Sequence, residues 1–151
     1  DAAKWFPAVG LLVGGLSAAM LWLAAQVFPM PIAAGLALAA GAVVTGAFHE
    51  DGLADTFDAL GGHVERAKAL VIMKDSRLGS YGALALMIVS GLRWAALAAL
   101  PLALAIPALV AAHAVARGGA TALMARLDYV RDEDGKSKPL AVALGPFSLI
   151  M

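Results

Sequence analysis

Residues 48–58 read Phe-His-Glu-Asp-Gly-Leu-Ala-Asp-Thr-Phe-Asp, which puts four carboxylates, Glu50, Asp51, Asp55 and Asp58, into nine positions directly after His49. On a helix, at about 100° per residue, Asp51, Asp55 and Asp58 share an arc of roughly 60° while Glu50 points to one side. Like charges at this spacing repel by roughly 0.2–0.5 kcal/mol per pair on an exposed helix, and by more near a bilayer, unless a cation sits between them. The chain has no cysteine, so any metal must be held by oxygen or imidazole. Hard oxygen ligands suit Mg²⁺, with Mn²⁺ as the alternative, and such ions polarise phosphoryl oxygens and bridge leaving groups. A divalent ion between the three aspartates of that stripe, and a phosphorylated substrate, would follow. His49 could serve as a general base, a ligand or a packing residue. A solvated acidic face at a helix start, where the dipole favours negative charge, explains the same spacing, and the residues alone leave both readings open.

A second cluster follows at Met73-Lys74-Asp75-Ser76-Arg77-Leu78-Gly79-Ser80-Tyr81-Gly82. Arg77 offers a forked donor for phosphate oxygens and Lys74 a point charge, and Gly79 and Gly82 allow the backbone close to a ligand before the next helix. Basic residues flanking a membrane helix would look alike. Further on, Arg117 stands inside an apolar stretch one turn after His113, and so on its face. An intramembrane Arg needs a partner, which makes it a binding candidate or half of a structural ion pair. Arg93, beside Trp94, ranks lower because it could snorkel to the interface. His63, beside two glycines, reads as loop.

The elements that must carry these residues are membrane helices. Hydrophobic residues make up 62% of the 151 and mean hydropathy is +0.84. From Trp5 to His49 there is no Asp, Glu, Lys or Arg, a run of 45 residues where one crossing needs roughly 20. The sequence predicts an all-α, polytopic transmembrane bundle forming one membrane domain over 1–151. Its helices are expected near 5–28, 32–49, 80–100 and 107–127, with another starting at 139. Pro29-Met30-Pro31 should mark the first turn and Pro101 to Pro107 a second. Two charged loops, near 50–79 and 128–138, should lie on one side. Residues 50–78 hold ten of the twenty-two charged residues, broken at Gly61-Gly62. Lys4, the four basic residues of the first loop, Arg126, Arg131, Lys136 and Lys138 fall on that side, which the positive-inside rule makes cytoplasmic. Small residues at Gly10, Gly14, Gly15 and Ser17, and at Gly35, Ala39 and Gly46, are spaced for close helix approach. A formal net charge of zero excludes nucleic acid as a bulk electrostatic partner, and a homo-oligomer is left open. The chain opens on Asp1 and runs to its end within the apolar stretch Leu140 to Met151, so a piece of a longer protein is expected.

GAFHEDGLADTFDALGG followed by MKDSRLGSYGALAL resembles the cobalamin synthase family, the adenosylcobinamide-GDP ribazoletransferases; WFPAVGLLVGG, Arg117 and YVRDEDGKSKPLA extend the resemblance. It implies a multi-pass protein of the bacterial inner membrane, its active site facing the cytoplasm. Such a protein joins adenosylcobinamide-GDP to α-ribazole or its 5′-phosphate, releases GMP and needs Mg²⁺. Carried over, Glu50, Asp51, Asp55 and Asp58 become the metal acids. Asp58 or His49 becomes the base for the ribose hydroxyl, and Lys74 and Arg77 steady the leaving GMP. Lys74, Asp75, Ser76, Arg77 and Gly79 form the second part of the site, with Arg117, Arg131 and Lys138 as further substrate contacts. Two rivals stand beside it. One is a Mg-dependent phosphotransferase acting on a CDP-alcohol or a lipid-linked pyrophosphate. The other is a secondary transporter with Asp55, Asp58 and Arg117 along its pathway.

Overall fold

A computed structural model describes residues 5–75 and 77–127; the expectations for Ser76, for the loop 128–138 with Arg131 and Lys138, and for a helix from 139 lie outside the described residues. Among the described residues the chain forms six helices and no strand. They are α1 (Phe6–Ala25), α2 (Met30–Val44), α3 (Phe48–Gly61), α4 (Arg66–Ile72), α5 (Ser80–Ala99) and α6 (Leu102–Met124). By length and hydropathy α1, α5 and α6 can each cross a membrane, and α2 with α3 passes the same test as a pair bent by 88°. The all-helical, multi-pass reading therefore holds.

The helix limits follow local chemistry. Pro29 is the N-cap of α2 and Pro31 sits in its first turn, so the prolines start the helix where a missing N–H loses no bond. Pro101 and Pro107 do not bracket a turn: α6 begins at Leu102 and carries Pro107 within it. Pro107 removes the donor for the carbonyl four residues before it, an interruption membrane helices tolerate when neighbouring groups satisfy that carbonyl. Residues 50–79, expected as a charged loop, hold most of α3 and all of α4, with α3 ending at Gly61 and capped by Gly62.

Packing divides the chain into two compact units, one joining α1 up to Ala18 with α6 from Ala103, the other running Ala19–Leu102. In both, many of the buried residues are small and many large apolar ones are exposed, unlike a soluble domain, although Val13 and Leu109 in the first and Leu21 and Leu97 in the second are buried. Ala33, Ala34, Ala37 and Gly41 of α2 are buried while Ile32, Leu36, Val43 and Val44 are exposed. In the first unit α1 and α6 meet backbone to backbone. A Cβ on Gly10 would lie 2.6 Å from the His113 carbonyl oxygen, and one on Gly14 2.8 Å from Val110 Cα, whereas Gly15 faces open space. Gly10 and Gly14 thus form a four-residue small-residue seam, and Gly15 is outside it.

Replacing Gly10 or Gly14 by Ala is therefore expected to destabilise the protein by about 1–3 kcal/mol through overpacking. Gly15→Ala should change stability by less than about 0.5 kcal/mol or raise it slightly, since Ala favours helix. Thermal unfolding of the three variants in detergent checks the contrast.

Candidate active site

The acidic segment starts at a backbone break. Gly46 (φ 62) follows the C-cap Thr45; its N–H bonds to the Val43 carbonyl, and the Ala47 N–H reaches back to Ala42 O at 2.7 Å. That pair of bonds is the Schellman closure, which needs a left-handed residue where Gly46 stands. Ala47 is left-handed too (φ 55, ψ 21) and serves as the N-cap of α3. A non-glycine residue pays about 1–2 kcal/mol for that conformation. The reward is geometric: α3 leaves at 88° to α2 with Glu50 and Asp51 in its first turn, where the dipole favours negative charge.

At the far end of α3, Asp58 joins the two sequence clusters. Its Oδ2 accepts the Gly79 N–H and its Oδ1 the Gly82 N–H, each at 2.8 Å. Gly79 is the N-cap of α5 and Gly82 its third residue, so one carboxylate from another helix satisfies two donors that a capping box would normally satisfy locally. The side chain is half-buried, and a methyl group on Gly79 or Gly82 would run into the Asp58 carboxylate, the one on Gly82 also lying 2.8 Å from the Ala54 carbonyl oxygen. Nearby, Gly61 lies against the Tyr81 ring with no room for a side chain. The glycines of the second cluster therefore admit a carboxylate, a use the phosphate reading did not foresee.

Glu50 makes the other tie to α5. Its Oε1 lies 3.3 Å from Arg93 Nη1, and Oε2 is buried without a hydrogen-bond partner among the described residues. One residue on, the Trp94 indole donates to the Pro31 carbonyl at 2.7 Å, so adjacent residues of α5 hold the start of α3 and the start of α2. Asp51 and His49 are exposed and Asp55 is half-buried.

In the second cluster Asp75 grips Arg77: Nε donates to both carboxylate oxygens at 3.0 and 3.1 Å and Nη2 to Oδ2 at 2.6 Å, with the Arg77 backbone N–H adding a bond to Oδ1. Side-chain hydrogen bonds from Arg77 hold the Asp75 carboxyl below its ordinary 3.8, and the same bonds raise the Arg77 guanidinium above its usual range. Arg77 stays 87% exposed, an oriented cation facing outward. Lys74 is exposed one residue before Asp75.

The structure thus ties α3 to the loop before α5 through Asp58 and to the body of α5 through Glu50. Among the described residues no group of three or more His, Asp or Glu side chains stands close enough to hold a metal ion by itself. In the other unit, Arg117 is buried on α6 and its Nη1 lies 3.1 Å from His113 Nδ1 and 3.3 Å from the His113 carbonyl. A guanidinium only donates, so that imidazole nitrogen is the acceptor. Ser76, Arg131 and Lys138 lie outside the described residues. Sequence reasoning underrated Arg93; the signal available was a lone cation thirteen residues into a helix that otherwise has no charge.

The whole chain, residues 1–151, matches the family described as cobalamin-5-phosphate synthase. It is 54% identical over 143 residues to an adenosylcobinamide-GDP ribazoletransferase of Leptothrix cholodnii, covering 92% of this chain and 54% of that protein. A protein of the same name from Shewanella frigidimarina is 52% identical over 145 residues (93% and 55% covered), and one from Shewanella baltica 47% over 154 (99% and 59%). The chain therefore spans somewhat more than half the length of these curated relatives. No solved structure matches it.

Asp58→Ala should lower stability by roughly 2–3 kcal/mol, because two helix-terminal donors lose a charged acceptor, and Asp58→Asn by less, since its amide oxygen keeps one bond. Amide hydrogen exchange at Gly79 and Gly82 should accelerate in both. For the second cluster, a carboxyl depressed below 3.8 steadies the loop at pH values above that figure, and the contribution fades as pH falls through the lower folded value. The NMR titration of Asp75 should consequently have its midpoint below 3.8 and return to it in Arg77→Gln.

Proposed function

This chain belongs to the cobalamin-5-phosphate synthase family, and we propose that the protein it represents joins adenosylcobinamide-GDP to α-ribazole or α-ribazole 5′-phosphate with release of GMP. The relatives at 47–54% identity carry the name of that activity, and the observation that carries the reading here is the Asp58 tie. It ties the acidic helix to Gly79 and Gly82, which are separate from it in sequence, and so supports reading the two clusters as parts of one site. The substrate is a pyrophosphate, and a site that offers carboxylates for a cation and exposed cations, Lys74 and Arg77, for phosphate suits it.

Mg²⁺, with Mn²⁺ as the alternative, is part of the proposal. The donor set fits an ion of this kind: the oxygens are hard, sulfur is absent, and Glu50 Oε2 is a buried oxygen with no hydrogen-bond partner among the described residues. Mg²⁺ is commonly held by one or two carboxylates, the rest of its shell being water and substrate phosphate, so fewer than three protein ligands in one place is no obstacle. One or two of Glu50, Asp51 and Asp55 would hold the ion, which when bound supplies charge neutralisation at the pyrophosphate.

The residues of the chain do the remainder. Arg77, aimed by Asp75, and Lys74 bind the phosphate that leaves with GMP. A ribose hydroxyl oxygen of α-ribazole bonds to the cobinamide-linked phosphorus as the bond from that phosphorus to the GMP oxygen breaks. His49, exposed at the start of α3, accepts the hydroxyl proton. Asp58, with both oxygens already accepting backbone donors, keeps the two halves of the site together rather than taking that proton. The bilayer holds the helices, and the charged segment from Glu50 to Leu78 faces the cytoplasm of a bacterial inner membrane.

The test is GMP release from adenosylcobinamide-GDP and α-ribazole phosphate by the full-length protein in liposomes. Release should need Mg²⁺, vanish with a chelator, and fall at least 100-fold in Asp55→Asn while that variant stays folded. A folded full-length protein that releases no GMP would sink this reading and favour the CDP-alcohol type of phosphotransferase or a transporter.

A further inference from the structure

Arg93 has no role in the reaction just described, yet its place in the fold asks for one. It sits in α5, ~20 Å along the axis from the helix start, and is the sole Asp, Glu, Lys or Arg among residues 80–99. A guanidinium at that depth in an apolar helix needs an anionic partner. The described partner is Glu50, 3.3 Å away on the first turn of α3. Glu50 is three-quarters buried at its side chain, and its two oxygens are used unequally, Oε1 toward Arg93 and Oε2 buried without a hydrogen-bond partner among the described residues. Glu50 follows the left-handed break at Gly46 and Ala47 by three residues, so the direction in which α3 leaves also depends on what holds its first turn.

We propose that Arg93 is a positioning residue: from α5 it holds Oε1 of Glu50, pinning the first turn of α3 at the 88° bend and leaving Oε2 as a pre-set oxygen for a cation. The proposal rests on the metal-dependent reading above for its catalytic consequence, but the pinning itself does not. Arg93 touches neither substrate nor the reacting atoms; it acts through Glu50. Trp94, bonded to the Pro31 carbonyl, anchors α2 from the neighbouring position and offers a control that weakens packing without touching Glu50.

The experiment is a double-mutant cycle in the full-length protein in lipid nanodiscs, with Glu50→Gln, Arg93→Gln and both together, alongside Arg93→Lys and Trp94→Phe. Two readouts are taken: amide hydrogen exchange over residues 48–52 without substrate, and the kcat and KM of GMP release. Arg93→Gln should speed exchange at least tenfold and lower kcat at least tenfold with KM moved less than threefold. The double variant should be no worse than Glu50→Gln within a factor of two, because Arg93 works only through that carboxylate. Arg93→Lys should keep at least a third of kcat, and Trp94→Phe should lower the unfolding temperature while leaving kcat within a factor of two. Unchanged exchange in Arg93→Gln, independent losses that multiply in the double variant, or a Trp94→Phe profile matching Arg93→Gln would overturn the proposal. Should the wild type release no GMP, the functional reading fails while the exchange cycle still decides whether Arg93 pins Glu50.

Discussion

Two backbone N–H groups at the start of α5 have no partner within their own helix, and the carboxylate that takes them, Asp58, comes from α3. Much of the candidate site depends on that contact. A helix start needs its first donors satisfied, because an N–H buried without a partner is costly, and Gly82 is buried. Local residues do not satisfy these: Gly79 at the N-cap position has no side chain. Supplying the acceptor from α3 means that α5 is properly capped only when α3 is docked. The segment carrying Lys74, Asp75 and Arg77 is then held between two fixed points, the end of α4 and the capped start of α5.

The same contact explains the glycines at 79 and 82. In sequence they suggest room for a phosphate; in the structure the room is occupied by the Asp58 carboxylate, and Gly82 also lies under the Ala54 carbonyl. Small residues recur wherever helices approach in this chain, as Gly10 and Gly14 do against α6. Lipid offers no hydrophobic incentive for bulky side chains to turn inward, so closeness of backbones supplies much of the packing, and beside a few buried bulky residues such as Leu21 and Leu109 many others are exposed.

What could be read from the sequence was what depends on composition and short-range pattern. The all-helical membrane class follows from the uncharged run of Trp5 to His49, and the acidic and basic clusters are visible as residue types at fixed spacing. What could not be read depends on contacts between distant segments. Asp58 is indistinguishable in sequence from Asp51 and Asp55; only the fold shows that its two oxygens are committed to α5. Arg93 looked able to snorkel because its partner is 43 positions away. The break after Val44 was hidden because Thr45 and Gly46 continue an apolar, small-residue run that reads as one helix up to His49. The Pro107 expectation failed for a related reason: proline ends helices in water more reliably than it does where neighbouring helices can satisfy the freed carbonyl.

These contacts divide a set of four similar acids into different tasks. On an isolated α3, Asp51, Asp55 and Asp58 would repel along one stripe. In the folded chain Asp58 is neutralised in effect by two helix-start donors and the dipole behind them, and Glu50 is paired with Arg93. Glu50 Oε2 is the oxygen of the set that stays buried with no hydrogen-bond partner among the described residues. Both satisfied oxygens of Asp58 and Oε1 of Glu50 thus face groups of α5 or its N-cap, which divides acids of one type between two ends of α3.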